Sequence, residues 1–88
     1  MRVVVSAHAF APDQELASFA CGGEVGAVAS FVGYCRAENG AVEHIELEHY
    51  PGFTEAAITR IAEIALQRHG LIDSLVIHRV GPIPAGEA

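Results

Sequence analysis

The sequence contains no lysine and no tryptophan, and its positive side-chain charge comes from arginine alone. Five arginines stand against eleven acidic residues, so the formal net charge is -6. A nucleic-acid-binding module requires a basic stripe, and this balance argues against that class. It does not exclude a small anionic substrate, because local arginines can outweigh a distant acidic surface. The arginines are Arg2, Arg36, Arg60, Arg68 and Arg79.

Cysteines and long apolar runs are also scarce. The two cysteines, Cys21 and Cys35, lack the CxxC spacing of a metal or redox motif. Two isolated cysteines are typical of free thiols in a reducing compartment. No stretch approaches the ~20 apolar residues of a membrane span, and no signal-peptide pattern follows Met1. We therefore expect a soluble, cytoplasmic protein that binds neither membranes nor nucleic acid.

The length of 88 residues suits one small domain, which we assign to residues 1–88. A chain of this size buries only about 60–65% of the surface that its unfolded form exposes. Hydrophobic residues nevertheless make up 51% of the sequence, more than in an average soluble domain. We expect part of this apolar surface to form an interface.

The apolar patterning predicts six elements in the order β-α-β-β-α-β. This order indicates an α+β fold, with a mixed or antiparallel sheet and two helices packed on it. Pro12 suits the first turn of the first helix, and Gly22-Gly23 ends it. We expect strands at residues 2–8, 25–35, 42–50 and 74–80, and helices from residue 12 to the Gly22-Gly23 pair and at 54–69.

The two middle strands carry different patterns. Residues 25–35 are apolar on both faces and include several small residues, which is typical of a strand covered on both sides. Residues 42–50 alternate between apolar and polar side chains, as a half-buried antiparallel strand does. Asn39-Gly40 between them is a hairpin signal.

The second helix has signals at both ends. Thr54 is expected to cap it and Gly70 to end it. Apolar residues at i, i+3 and i+4 spacing predict a core-facing stripe. After Gly86-Glu87 a turn would normally deliver a further strand, so we expect a truncated fold. The stripe consists of Ile58, Ile61, Ala62, Ala65 and Leu66.

Arg36 is a candidate anion-binding residue. It ends the predicted buried strand beside the Asn39-Gly40 turn, where a guanidinium group is well placed to hold an anion with two hydrogen bonds. The alternative is a solvated arginine in a hairpin. Cys35 beside it is either a nucleophile or a buried thiol without a chemical role.

Two other groups of polar residues have alternative interpretations. His44, Glu46 and Glu48 share one face of a strand and offer possible metal ligands, although such a face is usually only the solvated one. His78 and Arg79 at a strand end form either a proton-transfer or anion-holding pair, or a structural hydrogen-bonding element. We predict no metal and no cofactor.

Three motifs carry a family resemblance. They are F-x-G-x-x-R-x-x-N-G at residues 31–40, L-E-H-Y-P-G-x-T-E at 47–55, and V-I-H-R-V-G at 76–81 followed by Gly86-Glu87. In this order and spacing they resemble the catalytic (large) subunit of molybdopterin synthase, of MoaE type. The resemblance covers essentially the whole chain and is loosest over the first twenty residues.

The resemblance implies an activity and partners. The family inserts two sulfurs into a cyclic pyranopterin monophosphate precursor to form the dithiolene of molybdopterin. Sulfur arrives as a thiocarboxylate on the C-terminal glycine of a ubiquitin-like small subunit, and the large subunits form a homodimer. The resemblance places Tyr34, Cys35 and Arg36 in the substrate pocket, with Arg36 as the essential cation. The supporting residues are Phe31, Asn39, His78 and Arg79.

One departure from the family pattern concerns activity. The family continues past Gly86-Glu87 into an S-A-H-R motif and a region with two lysines, whereas this sequence has no lysine. We therefore expect the 88-residue chain alone to be inactive, and whether it serves as an enzyme stays open. The alternatives are a non-catalytic regulatory module that keeps the small-subunit surface, and a small metal-binding protein using His44, Glu46 and Glu48.

Overall fold

The computed structural model describes residues 1–19 and 22–88. These residues form two helices and four strands in the order β-α-β-α-β-β. The predicted α+β class is confirmed, whereas the predicted order of elements is wrong in two places. The elements are β1 (Arg2–Ser6), α1 (Pro12–Phe19), β2 (His44–Leu47), α2 (Phe53–His69), β3 (Leu75–Arg79) and β4 (Gly81–Pro84).

β1 and β3 form a parallel pair, the first of two small sheets. The register runs from Arg2 opposite Leu75 to Ser6 opposite Arg79. Three consecutive valines give β1 the β-branched side chains that pack well on a pleated surface. Parallel strands require a long connection, and α2, which lies between them in sequence, packs against β1.

β2 and β4 form the second sheet, which is antiparallel. Ile45 lies opposite Ile83, and the N–H of Ala85 donates to the carbonyl of Glu43 at 2.8 Å. N–H groups alternate in direction along a strand, so the two prolines of β4 occupy positions that need no ladder donor. The antiparallel pairing predicted for β2 is confirmed, but its partner is a strand that the sequence did not predict.

The predicted strand at residues 25–35 is wrong. These residues are all described, and they form neither strand nor helix. A strand is stabilised by pairs with its neighbours. Within residues 1–19 and 22–88, this segment is tied by backbone hydrogen bonds to another segment only at Cys35. Apart from Val25 and Cys35, its apolar side chains are therefore exposed, and Phe31 is 95% exposed.

The helix ends follow the sequence signals in part. α1 begins at Pro12, as predicted, and runs to Phe19. Residues 20 and 21, between Phe19 and the predicted end at Gly22-Gly23, lie outside the described residues. α2 ends at Gly70, which adopts the left-handed conformation with φ 59°. The prediction that Thr54 caps α2 is wrong: Gly52 takes that position, and the Thr54 hydroxyl accepts a hydrogen bond from Tyr50 N at 3.0 Å.

The predicted stripe on α2 is buried only in part. Ala62 is 7% exposed, and Ile58, Ala65 and Leu66 are half-buried. Ile61 is 68% exposed, so its predicted place in the core is wrong. α2 packs against the narrow first sheet, which covers fewer helical positions than a wide sheet would.

The chain has an open surface for its size. Its accessible area is 6552 Å², against about 5,000 Å² for a folded monomer of this mass. Its radius of gyration is 14.8 Å, against roughly 12 Å for a compact domain of this length. No helix within residues 1–19 and 22–88 has the length and apolar character to cross a membrane. Large apolar side chains with more than half of their surface exposed are Phe31, Tyr34, Tyr50, Phe53, Ile61 and Ile72.

We expect the 88-residue chain to form dimers or larger assemblies at micromolar concentration. Large apolar patches seldom stay exposed on soluble monomers, and an open strand edge recruits other chains. Sedimentation velocity over a dilution series measures the assembly. Ile61→Lys should shift the distribution toward smaller species, and Gln67→Lys should not, since Gln67 is a polar, exposed residue of the same helix. A stable monomer that unfolds cooperatively would contradict this expectation.

Candidate functional site

Cys35 joins the irregular segment 25–35 to the residues that follow β4. Its N–H donates to the carbonyl of Glu87 at 2.9 Å, and its carbonyl accepts from the N–H of Gly86 at 2.8 Å. Its side chain is 5% exposed. Of the two interpretations of Cys35, the buried thiol fits this geometry. Cys21, the other cysteine, lies outside the described residues.

Arg79, the last residue of β3, lies on the other side of the same junction. Its side chain is only 9% exposed. Its Nη1 donates to the Glu87 carboxylate at 2.8 Å and to the carbonyl of Ala88 at 3.1 Å. Its Nε is buried and has no hydrogen-bond partner among the described residues. The junction therefore brings together Arg79, Glu87 and Cys35.

Arg36 follows Cys35 and turns outward. Its side chain is 83% exposed, and its Nη2 lies 2.8 Å from a carboxylate oxygen of Glu38, which is itself 52% exposed. Exposed ion pairs of this kind contribute at most about 1 kcal/mol. An anion with two available oxygens can therefore displace Glu38 at little cost and bind the guanidinium fork.

The Arg36 side chain extends from a tight turn. Glu38, Asn39 and Gly40 all have positive φ, at 49°, 58° and 87°. The N–H of Val42 closes the turn on the carbonyl of Ala37 at 2.9 Å. The turn predicted at Asn39-Gly40 is thus present, although it does not join two paired strands. Asn39 shapes this turn through its left-handed backbone, a conformation that asparagine tolerates.

An open cleft of about 1320 Å³ lies between residues 25–35 and the first sheet. It is larger than the 300–1,000 Å³ that is usual for a small-molecule site. Five residues predicted for the site line it, namely Phe31, Tyr34, Cys35, His78 and Arg79. Arg36 and Asn39 lie outside its lining, on the turn beside it.

Glu87 belongs to the junction and was not predicted from the sequence. Its carboxylate holds Arg79, and its carbonyl accepts from Cys35. The only hint of this role in the sequence was the presence of an acidic residue directly after Gly86. Its pairing with an arginine eight residues earlier depends on the return of the chain after β4 to the end of β3, which the sequence pattern did not predict.

The metal hypothesis has no support in the geometry. His44, Glu46 and Glu48 are all described, and none of the described residues form a group of three or more side chains able to hold a metal. Glu48 instead accepts a hydrogen bond from the Tyr50 hydroxyl at 2.5 Å. This bond favours the neutral phenol and raises the pKa of Tyr50 above its ordinary value of 10.0.

The second sequence motif forms the turn from β2 into α2. His49 Nε2 pairs with the Glu55 carboxylate, and the other oxygen of Glu55 accepts from Gly52 N at 2.8 Å. Both contacts favour the ionised carboxylate, so they lower the pKa of Glu55, with the His49 contact as the larger cause. An acidic side chain at this end also interacts favourably with the helix dipole.

We expect Glu55 to contribute to stability only where it is ionised. Because folding lowers its pKa, this contribution is present above its ordinary pKa of 4.5 and is lost as pH falls through the lower folded value. Glu55→Gln should therefore flatten the decline of unfolding free energy in acid, measured by urea titration between pH 5.5 and 3. Glu63→Gln, at an exposed position on α2, is the control. Identical pH curves for the wild type and Glu55→Gln would refute this assignment.

Comparison with known proteins identifies the family. The family model described as "MoaE protein" matches residues 5–88. The chain belongs to the MoaE family. It is 49% identical to the molybdopterin synthase catalytic subunit of Caulobacter vibrioides over 100% of this chain and 59% of that protein. The corresponding subunits of Cereibacter sphaeroides and Pseudomonas aeruginosa are 50% and 44% identical, each over 99% of this chain.

This MoaE chain spans about 60% of the length of those relatives. Within it, the first and third sequence motifs meet in space, because Cys35 and Arg79 both bond to Glu87. The second motif lies at the start of α2 and fixes that helix end. The MoaE motifs thus have two tasks in this structure: two of them build the junction beside the cleft, and one ends a strand and begins a helix.

Proposed function

We propose that this chain forms part of a molybdopterin synthase catalytic subunit, in which Arg36 binds the anionic pterin precursor. The observation that carries the proposal is an exposed guanidinium group on a fixed turn, directly after a residue anchored in the junction. A planar guanidinium matches the geometry of a phosphate group. Substrate charge is thus recognised locally, despite a net charge of -6.

The cleft is the proposed route for the sulfur donor. In this proposal, the C-terminal glycine thiocarboxylate of a ubiquitin-like small subunit enters between residues 25–35 and β3, and two such donors supply the sulfurs of the dithiolene. Tyr34 and Phe31 line this space and are 58% and 95% exposed. Apolar and aromatic side chains of this kind are enriched at the centres of protein interfaces.

The exposed face of α2 suits a second copy of the large subunit. Ile61 and Ile64 are 68% and 44% exposed there, three positions apart on one side of the helix. We place the assembly in the cytoplasm. The alternative of a non-catalytic regulatory module would keep the same partner surface, but the names of the relatives favour the catalytic subunit.

The proposal is tested with a chimera in which this chain replaces the matching part of the Caulobacter vibrioides relative. We expect the chimera to convert cyclic pyranopterin monophosphate into molybdopterin when it is supplied with thiocarboxylated small subunit. The 49% identity over the whole chain favours correct packing in that context. Molybdopterin is measured by fluorescence after oxidation.

The unmodified relative and a chimera supplied with small subunit that lacks the thiocarboxylate are the controls. A chimera that unfolds cooperatively, binds the small subunit and still forms no product would overturn the proposed function. Circular dichroism shows separately whether the chimera folds. If it does not, this chain replaces the matching part of the Pseudomonas aeruginosa relative instead.

A further inference from the structure

Arg79 carries a positive charge that is almost removed from solvent. Its side chain is 9% exposed, whereas the side chains of Arg2 and Arg36 are 63% and 83% exposed. A charge taken out of water is tolerated only when it is paired and hydrogen-bonded. Arg79 therefore depends on the groups that pair with it, among them the Glu87 carboxylate, whose side chain is 46% exposed.

Glu87 connects Arg79 to Cys35. Its side chain binds Arg79 Nη1 at 2.8 Å, and its carbonyl accepts from Cys35 N at 2.9 Å. The neighbouring Gly86 N donates to the carbonyl of Cys35 at 2.8 Å. Arg79 thus connects, through Glu87 and its neighbour Gly86, to the N–H and the carbonyl of Cys35. Arg36 is the next residue along the chain.

A direct role in ligand binding does not fit Arg79. Its Nη1 already serves Glu87 and Ala88, and an incoming anion would have to displace a carboxylate from a nearly buried guanidinium. The Arg79 side chain is 9% exposed, so its guanidinium group offers an incoming anion little open surface. Arg36, in contrast, gives up only an exposed contact with Glu38.

We propose that Arg79 is a positioning residue: through Glu87 and Cys35 it sets the place from which Arg36 presents its guanidinium group. The inference rests on the proposed function for the role of Arg36, whereas the connection from Arg79 to Cys35 stands on the geometry alone. A misplacement of about 1 Å at a binding group can lower a rate by 10²-fold. Loss of Arg79 should therefore impair precursor binding without removing any group that contacts the precursor.

The connection itself is tested in the 88-residue chain by amide hydrogen exchange followed by NMR. Arg79→Met should speed exchange at the N–H groups of Cys35 and Gly86 at least tenfold. Glu87→Gln, which keeps a hydrogen-bond acceptor, should have a smaller effect of the same sign. Arg2→Met breaks an exposed arginine–glutamate pair with Glu15 and should leave both amides unchanged. Unchanged exchange at Cys35 in both Arg79→Met and Glu87→Gln would overturn the proposal.

The functional consequence is tested in the chimera. Arg79→Met should lower kcat/KM for the precursor by about 10- to 100-fold, with much of the change in KM, and Arg79→Lys should recover part of it. A residue that only stabilises the fold would lower Tm and leave KM unchanged, and that result would overturn the proposal. If the unmodified chimera is inactive, the proposed function fails, and the exchange measurement still decides whether Arg79 holds Cys35.

Discussion

The isolated 88-residue chain is expected to form no detectable molybdopterin under conditions in which the chimera turns over. The family resemblance assigns the covalent and acid–base steps to two lysines and an S-A-H-R segment, and this sequence contains neither a lysine nor that segment. Groups that act as a unit leave only residual catalysis when they are removed, so the rate should fall by about three orders of magnitude or more. Product fluorescence over several hours measures this limit.

Three samples that contain this chain are compared. Precursor and thiocarboxylated small subunit are supplied in identical amounts to the isolated chain, to the chimera and to a mixture of the isolated chain with the remaining part of the Caulobacter vibrioides relative as a separate polypeptide. Activity in the mixture would show that the isolated chain is competent once the lysine-bearing region is restored. Turnover by the isolated chain at a rate close to that of the chimera would refute the expectation.

Local signals in the sequence predicted the elements that depend on local interactions. Gly70 ends α2 because only a residue tolerant of positive φ fits there. The β-branched run at the start of the chain forms β1, and the alternating segment after residue 42 forms an antiparallel strand. In each of these cases the deciding interaction lies within a few residues, or the pattern itself defines the buried face.

Long-range pairing explains the elements that were missed. Residues 25–35 have strand-like composition, but composition does not supply a neighbouring strand. Among the described residues, the segment forms backbone hydrogen bonds with another segment only at its end, at Cys35. β4 lies beyond the last predicted strand, which ends at residue 80. Its prolines at alternate positions are compatible with an edge strand whose intervening N–H groups make the ladder, and only the fold shows that β2 is its partner.

In the candidate site, too, the sequence predicted the local segments but not the long-range contact between them. The F-x-G-x-x-R motif located Arg36 and Cys35, and the V-I-H-R-V-G motif located Arg79, each as an isolated segment. That the two segments meet through Glu87 follows from the return of the chain after β4. A search for acidic residues able to neutralise a strand-end arginine would have included Glu87 among several candidates, and tertiary structure selects it.

We expect Arg36→Ala in the chimera to lower kcat/KM for the pterin precursor by about 100-fold or more. The loss of one donor that stabilises negative charge in the transition state commonly has an effect of this size, and the alanine leaves the negative charge of the ligand without its partner. Circular dichroism should show little change, because the Arg36 side chain is 83% exposed and its contact is with the exposed Glu38. The kinetic effect and the structural effect are therefore separable.

Two further variants determine whether the position or only the charge is important. Arg60→Ala removes the same charge from an exposed position that does not line the cleft. It should leave kcat/KM within about twofold of the wild type, because screened charges away from the ligand interact weakly with it. Arg36→Lys should rescue poorly, since an ammonium group cannot reproduce the planar fork that binds two oxygens at once. Equal losses in Arg36→Ala and Arg60→Ala would mean that net charge governs the rate, and would remove Arg36 from the site. Full activity in Arg36→Lys would show that a positive charge is needed at position 36, but that two simultaneous hydrogen bonds to the ligand are not.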